Sequence, residues 1–211
     1  MRLGADEAGK GPVLGSMFAA AVRAPAAAIP DGVDDSKRLS PARRAELAAT
    51  LRADDRVEVG VCEIPVSRID GEEDMNTLTV VAQAAAVAAV ARDGDGGVLD
   101  AGDVSAERFA RRVAERVPAD VDLRAEHRAD ESYLLVSAAS VLAKVERDAH
   151  VDRLAERYGE VGSGYPSDPT TREFLRTYVE AHGDLPDCAR RSWSTCDDVL
   201  AATEQSALDS F

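Results

Sequence analysis

Lysine is nearly absent from this sequence, since arginine supplies 22 of the 25 basic residues and the three lysines are Lys10, Lys37 and Lys144. Positive charge is scarce overall, because 39 acidic residues leave a formal net charge of −14. That balance argues against a protein that holds nucleic acid by bulk electrostatic attraction. It resembles the composition of proteins from salt-loving cells. At about 1 M salt the Debye length falls to roughly 3 Å, so surface charge hardly repels a phosphate backbone.

Cysteines and long apolar runs are also few. The three cysteines form neither a CxxC pair nor an even set, which favours free thiols over a zinc site or a disulfide framework (Cys62, Cys188, Cys196). The longest apolar run, residues 80–91, carries Gln83 and is shorter than the roughly 20 residues that a bilayer requires. Acidic residues come almost at once at the N-terminus, so we expect no signal peptide, no membrane segment and a cytoplasmic location.

Strand patterns come early in the chain and helical patterns accumulate late. The sequence predicts strands at residues 2–6, 13–22, 57–62, 97–100 and 121–124. It predicts helices at residues 41–52, 76–92, 105–117, 137–158 and 168–183, with a weak helical stretch at 197–203. We therefore expect an α/β protein in which residues 1–211 form a single compact unit, with a catalytic core over 1–150 and a helical C-terminal extension over 151–211.

Four carboxylates border the apolar or glycine-rich segments. Asp6 and Glu7 lie where the first predicted strand meets a glycine turn, Asp100 ends a short apolar run, and Asp130 precedes a long helix. In an α/β sheet such positions converge on one edge, where ligand sites form. Gathered carboxylates repel one another unless cations are present, so the pattern favours a magnesium or manganese site over four solvated surface charges.

A competing interpretation of the same segment is a P-loop. Residues 4–10, GADEAGK, match its first seven positions, and residues 98–100 resemble the acidic end of a Walker B strand. The eighth position is Gly11 instead of the serine or threonine that binds magnesium, and Asp6 and Glu7 would lie inside a phosphate cradle. This alternative predicts ATP or GTP binding. A third alternative is a non-catalytic nucleic-acid binding module, which would bind RNA–DNA hybrids without cleaving them.

Six motifs, in order, resemble those of archaeal type 2 ribonuclease H. They are GADEAGKGP at 4–12, DSKRL at 35–39, LDAGDV at 99–104, HRAD at 127–130, SAASVLAK at 137–144 and GSGYPSDP at 162–169. The resemblance implies a ribonuclease H-like mixed sheet flanked by helices. It also implies cleavage of the RNA strand of RNA–DNA hybrids and of single ribonucleotides embedded in duplex DNA.

The resemblance assigns the metal site to Asp6, Glu7, Asp100 and Asp130, with Asp6 as the bridging ligand. The implied chemistry is in-line displacement with two Mg²⁺ or Mn²⁺ ions. One ion lowers the pKa of the attacking water and the other stabilises the departing 3′ oxygen, which leaves 5′-phosphate and 3′-hydroxyl ends.

The resemblance also assigns substrate contacts. Recognition of the 2′-hydroxyl falls on the glycine turn formed by Gly9, Lys10 and Gly11, and Tyr165 is expected to pack against the ribose. Lys37 and Arg38 are candidates to hold a phosphate, although a plain surface pair fits them almost as well. The remaining candidates are Asn76, for the DNA strand, and a polar helical stripe of Ser137, Ser140 and Lys144. Asp35 and Asp103 are expected to make structural hydrogen bonds.

One position departs from the family pattern, because the middle of the glycine turn is usually arginine and here is Lys10. Arginine offers a planar bidentate fork, whereas lysine offers a compact point charge, so the substitution bears on phosphate contact or junction preference. The last residues, 207–211, are only a faint match to a tail that binds a sliding clamp, which is therefore the one protein partner that the sequence suggests.

Overall fold

A computed structural model describes residues 2–33 and 39–208. Within these residues there are five strands: β1 (Arg2–Ala8), β2 (Met17–Ala24), β3 (Glu58–Ile64), β4 (Asp95–Asp100) and β5 (Val121–Glu126). The helices are α1 (Pro41–Ala53), α2 (Val66–Ile69), α3 (Met75–Ala88), α4 (Ala106–Ala114), α5 (Leu134–Tyr158), α6 (Pro169–His182) and α7 (Ser194–Leu208). Short 3₁₀ turns occupy Ala26–Ala28 and Ala129–Glu131. No helix in this described part is long and apolar enough to cross a membrane.

The five strands form one mixed sheet in the order β3-β2-β1-β4-β5. β1 and β2 are antiparallel, as are β2 and β3, whereas β1, β4 and β5 run parallel to one another. The carboxyl ends of β1 and β4 therefore meet at the same edge, and Ala5 lies opposite Leu99. The next residues along the two strands are Asp6 and Asp100, so the register alone brings two of the predicted acids side by side. The predicted α/β class is confirmed.

The described residues separate into two compact units. The first comprises residues 2–10, 17–33, 39–64 and 74–148, and the second comprises residues 11–16, 65–73 and 149–208. The predicted boundary near residue 150 within one compact unit stays a prediction.

The first unit holds the sheet, and small residues let its helices approach the strands closely. All eight residues of β2 are buried, and four of them are alanine. A Cβ added to Gly4 on β1 would overlap the backbone of Leu135 and Val136 in α5, so only glycine fits there. The apolar side chains of α1 and α5 fill the remaining core, among them Leu47, Leu51, Val141 and Leu142.

The second unit has its own core around α6 and α7, built from Leu14, Leu175, Val179, Cys188, Cys196 and neighbouring residues. Arg190 is fully buried in it; its Nε donates to the Gly15 carbonyl at 2.8 Å, and its guanidinium lies 5.0 Å from the centre of the Trp193 ring. The three cysteines are free, as predicted. Burial raises the pKa of Cys188 to about 12 and that of Cys196 to about 11, so both thiols are protonated at neutral pH.

Several predicted boundaries were wrong, and packing explains the largest errors. The strand expected at 13–22 begins only at Met17, because the amides of Val13 and Leu14 donate to the Gly164 carbonyl within the second unit. α5 begins at Leu134 instead of 137, and α3 ends at Ala88 instead of 92. The weak stretch at 197–203 is part of the 15-residue helix α7, which Cys196 and Val199 anchor in the core. Local sequence propensities do not reflect such tertiary packing.

Candidate active site

Asp6 and Glu7 lie inside β1, which continues to Ala8 and not only to residue 6. Successive side chains of a strand point to opposite faces of the sheet. Asp6 accordingly interacts with Ser140 and Lys144 of α5, whereas Glu7 interacts with Gln83 of α3. One pair of adjacent residues therefore sends a carboxylate to each face of the sheet at its carboxyl edge.

Asp6 is a buried carboxylate among other carboxylates, with only 5% of the residue exposed. Burial raises the pKa of Asp6 well above its usual value, and the charges of Glu7 and Asp100 raise it further. The hydroxyl of Ser140 and the ammonium of Lys144 act in the opposite direction. Lys144 Nζ also donates to Ser140 Oγ at 2.6 Å, so both side chains hold the surroundings of Asp6 in place.

Burial raises the pKa of Glu7 to about 7, and the charge of Asp100 contributes to the rise. The hydrogen bond from Gln83 and the charge of Lys10 oppose it. Gln83 Nε2 donates to Glu7 Oε2 at 2.6 Å and also to the Asp100 carbonyl at 3.0 Å. Glu7 is therefore coupled to both strands of the carboxyl edge, through its own backbone on β1 and through Gln83 to β4.

Asp100 and Asp130 are linked through the 3₁₀ turn at Ala129–Glu131. Asp100 Oδ1 accepts a hydrogen bond from the Ala129 amide at 2.6 Å, and Asp130 is the next residue, with 5% of its surface exposed. Arg128, which precedes the turn, has a φ of 58°, a left-handed conformation that non-glycine residues adopt at some cost. The Ser137 hydroxyl donates to the carbonyl of Asp130. This turn thus carries Asp130 to the strand end that bears Asp100.

The donor set fits a divalent cation in its chemistry. Carboxylate oxygens are the ligands that Mg²⁺ and Mn²⁺ prefer. The charges of Glu7 and Asp100 raise the pKa of Asp6, and the charge of Asp100 raises that of Glu7, a repulsion that bound cations would offset. Within residues 2–33 and 39–208, however, no three Asp, Glu, His or Cys side chains already form a set that could hold a metal ion. The structure thus shows three interacting carboxylates, those of Asp6, Glu7 and Asp100, at the carboxyl edge of the sheet.

The glycine turn at residues 9–11 follows β1 directly. Gly9 has a φ of 87°, which favours glycine, and Lys10 Nζ donates to Asn76 Oδ1 at 2.9 Å and to the Gly102 carbonyl at 2.5 Å. Lys10 therefore connects the turn to the start of α3 and to the loop after β4. Asp103, in that loop, accepts two hydrogen bonds from Arg108 Nη2, which confirms the structural role predicted for it.

Tyr165 lies in the second unit, beside Gly11. A Cβ built on Gly11 would lie 3.8 Å from Tyr165 Cε1, and 45% of the tyrosine is exposed. The loop that presents the ring is tightly held, because the Gly164 amide donates to Thr171 Oγ1 at 2.9 Å and the Ser163 amide donates to Asp168 Oδ2 at 2.6 Å. Tyr165 is thus an exposed ring on a fixed loop.

Three predicted residues, Asp35, Lys37 and Arg38, lie outside the described residues. Ser137 and Ser140 are almost fully buried and contact the segments that carry the acids. The sequence interpretation assigned no role to Gln83. The only signal was that it is the one strongly polar residue in the apolar run 80–91. The P-loop alternative also fails here, because the element that follows residues 9–11 is the antiparallel strand β2 and not a helix.

Comparison with known proteins finds a family model, close relatives and solved structures that this chain resembles. The family model described as "Ribonuclease HII" matches residues 3–196. A ribonuclease HII from Haloarcula marismortui is 65% identical over the full length of both chains. The crystal structure of ribonuclease H2 from Pyrococcus horikoshii aligns with a TM-score of 0.88 at 35% identity, covering 97% of this chain and 99% of that one. RNase HII from Archaeoglobus fulgidus, solved as a PCNA:RNase HII complex, aligns with a TM-score of 0.82 at 37% identity, covering 94% and 96%.

Proposed function

Because the chain belongs to the ribonuclease HII family and is accordingly a ribonuclease H acting on RNA–DNA hybrids, we propose that it also cuts on the 5′ side of ribonucleotides embedded in duplex DNA. The observation that carries the proposal is the coupled set of carboxylates at the carboxyl edge of β1 and β4. The glycine turn that follows β1 without a break would place a sugar beside those carboxylates. The products would be 5′-phosphate and 3′-hydroxyl ends.

We propose Asp6, Glu7, Asp100 and Asp130 as the residues that would hold two Mg²⁺ or Mn²⁺ ions. Such ions supply an activated water and neutralise charge at the leaving oxygen. Ser140 and Lys144 orient Asp6 from α5, and the Ala129 amide fixes Asp100. Ser137 holds the turn that carries Asp130. Ser137, Ser140 and Lys144, the polar stripe predicted on α5, would then mainly position the acids. Direct contact with the substrate is proposed as their second role.

Substrate selection is proposed to rest on the turn formed by Gly9, Lys10 and Gly11, whose backbone can approach a 2′-hydroxyl closely. Tyr165, beside Gly11, would pack against the ribose. Asn76, which accepts from Lys10, would face the DNA strand with its amide nitrogen. Lys37 and Arg38 are kept as proposed phosphate contacts.

The proposed function is tested with a DNA duplex that contains one ribonucleotide. The cleavage rate is measured with Mg²⁺, with Mn²⁺ and with EDTA, from low salt to about 1 M. We expect metal-dependent cutting that persists near molar salt, because a surface of charge −14 repels the duplex less when the Debye length is roughly 3 Å. Cutting in EDTA would contradict the metal proposal. Binding of the duplex without cutting under every condition would favour a non-catalytic module.

Replacing Tyr165 with alanine is expected to slow cleavage at a single embedded ribonucleotide about tenfold, with a smaller effect on a long RNA–DNA hybrid. Loss of an aromatic ring that stacks on a base costs about 1–3 kcal/mol, and we take the lower end of that range for a ring that packs against a ribose. A single embedded ribonucleotide has no neighbouring ribose that could take its place. The measurement is kcat/KM on both substrates. Tyr178→Ala, which removes a ring from the cluster on α6, is the control for general loosening of the second unit. Equal losses on both substrates would remove the proposed role of Tyr165.

Replacing Lys10 with methionine is expected to reduce kcat/KM on the embedded ribonucleotide about tenfold, because the turn loses its ties to Asn76 and to the Gly102 carbonyl. Lys10→Arg keeps the charge but presents a longer planar fork, so we expect an intermediate loss. Arg153→Met, on an exposed part of α5, is the control for loss of one positive charge. If Lys10→Met and Arg153→Met behave alike, bulk charge explains the effect and the positioning role is wrong.

A sliding clamp is proposed as a protein partner. The support is that the Archaeoglobus fulgidus relative was solved together with PCNA. In this chain the candidate tail is residues 207–211, of which 209–211 lie outside the described residues.

A further inference from the structure

Gln83 is a fully buried amide in an otherwise apolar part of α3. None of its surface is exposed, and its buried neighbours along the helix include Val80, Ala84 and Val87. A buried polar side chain lowers stability unless hydrogen bonds replace its lost hydration. A leucine or methionine would fill the same space without that cost, so the contacts of the amide must account for the glutamine.

Those contacts are one-sided. Gln83 Nε2 donates to Glu7 Oε2 at 2.6 Å and to the Asp100 carbonyl at 3.0 Å, whereas Gln83 Oε1 is buried without a hydrogen-bond partner. The opposite orientation of the amide would set Oε1 against a carboxylate oxygen and a carbonyl oxygen, which repel it. Both acceptors therefore select the same orientation, and the orphaned Oε1 is a consequence of that selection.

The position of Gln83 explains why these two acceptors matter. Glu7 and Asp100 lie at the carboxyl ends of two neighbouring parallel strands. Gln83 lies on α3, and its amide nitrogen donates both to the side chain of Glu7 on β1 and to the main-chain carbonyl of Asp100 on β4. A carboxylate held from one side loses most of its rotamer freedom.

We propose that Gln83 is a positioning residue, which holds the Glu7 carboxylate in the orientation that binds a divalent cation. The inference rests on the proposed function, in that Glu7 is taken as a metal ligand. Partners that orient a ligand from outside typically change metal affinity or activity about 10–100-fold when they are removed. Gln83 was not among the residues that the family motifs pointed to.

The test compares the wild type with Gln83→Met, which has nearly the same volume and no donor. Mn²⁺ alone is titrated calorimetrically in the absence of nucleic acid, and kcat and KM are measured on the single-ribonucleotide duplex. We expect Mn²⁺ affinity and kcat to fall about 10–100-fold, with KM for the duplex unchanged. The melting temperature without metal should fall modestly, because Gln83→Met removes the orphaned Oε1 but also takes the buried donor from Glu7 Oε2 and from the Asp100 carbonyl. Val80→Ala, also buried in α3, is the control; it should lower the melting temperature without the change in Mn²⁺ affinity.

A double-mutant cycle identifies the residue through which Gln83 acts. In a Glu7→Ala background, Gln83→Met should have no further effect on Mn²⁺ affinity, because the carboxylate that it positions is gone. Unchanged Mn²⁺ affinity in Gln83→Met, or an equal loss in both backgrounds, would overturn the inference while leaving the proposed function intact. If the wild type neither binds Mn²⁺ nor cuts the duplex, the proposed function itself fails, and this inference fails with it.

Discussion

Replacing Asp6 with asparagine is expected to lower the rate of cleavage at an embedded ribonucleotide at least about a thousandfold, equivalent to about 4 kcal/mol of activation free energy. Asp6 is buried and interacts with Glu7, Asp100, Ser140 and Lys144, so it is the centre of the acidic site. Asparagine keeps the shape of the side chain but removes the negative charge that would help to hold a divalent cation. The measurement is a single-turnover rate in saturating Mg²⁺ or Mn²⁺.

The same substitution is expected to leave the metal-free protein at least as stable as the wild type. A buried carboxylate beside two others is held there against repulsion, and a neutral amide relieves it. Asp122→Asn, an exposed residue of β5, is the control for loss of one negative charge and should keep full activity. An Asp6→Asn variant that is folded and cuts at near wild-type rate would contradict the assignment of the whole acidic site.

Replacing Arg23 with methionine is expected to reduce the free energy of unfolding by about 3 kcal/mol, because it removes the guanidinium that compensates the charge of a buried carboxylate. Arg23 on β2 donates to Asp95 through Nε at 2.6 Å, and to Glu58 through Nη1 at 2.7 Å. Arg23 is 5% exposed and Asp95 is 3% exposed, so water cannot take the place of the lost contact. Denaturant unfolding at one fixed salt concentration measures the change.

The pH dependence of that loss has a definite sign. The hydrogen bond from Arg23 lowers the pKa of Asp95 well below its usual range. The stabilisation by the pair is therefore fully present above the unfolded pKa of an aspartate, about 4, and is lost as the pH falls through the lower folded value. In Arg23→Met the largest cause of the lowered pKa of Asp95 is gone, although the Arg92 amide still donates to it, so the stability of that variant should fall less as the pH is lowered. The difference between the two proteins should shrink below about pH 4.

A second substitution separates the pair from the cavity that Arg23→Met leaves. In Arg23→Met/Asp95→Leu neither charge remains buried, and we expect most of the lost stability to return. If the double variant is less stable than Arg23→Met, then packing and the Asp95 contact with the Arg92 amide outweigh the unpaired charge.

The family, the α/β class and the segments that carry the acids could all be predicted from the sequence alone. The six motifs and the strand and helix patterns are local, so short stretches were enough. The N-cap Asp168, with Pro169 at the first helical position and Gly183 at the end of α6, shows how a local signal places a whole helix. Boundaries failed where packing decides, as at residues 13–16 and in α7, because the partners of those residues lie far away in the chain.

The contacts that the side chains of the site make depend on the tertiary structure. The sequence marked Lys10 as a departure from the family, but whether its ammonium points outward or holds Asn76 and the Gly102 carbonyl depends on a contact between segments 66 and 92 residues apart. Gln83 looked like a lone polar interruption in an apolar helix until the sheet register brought Glu7 and the Asp100 carbonyl within reach of one nitrogen. Residue types and their spacing give the chemistry that is available. The directions in which donors and acceptors point follow only from the packing of helices on the sheet. Those directions determine which donor side chain holds which carboxylate.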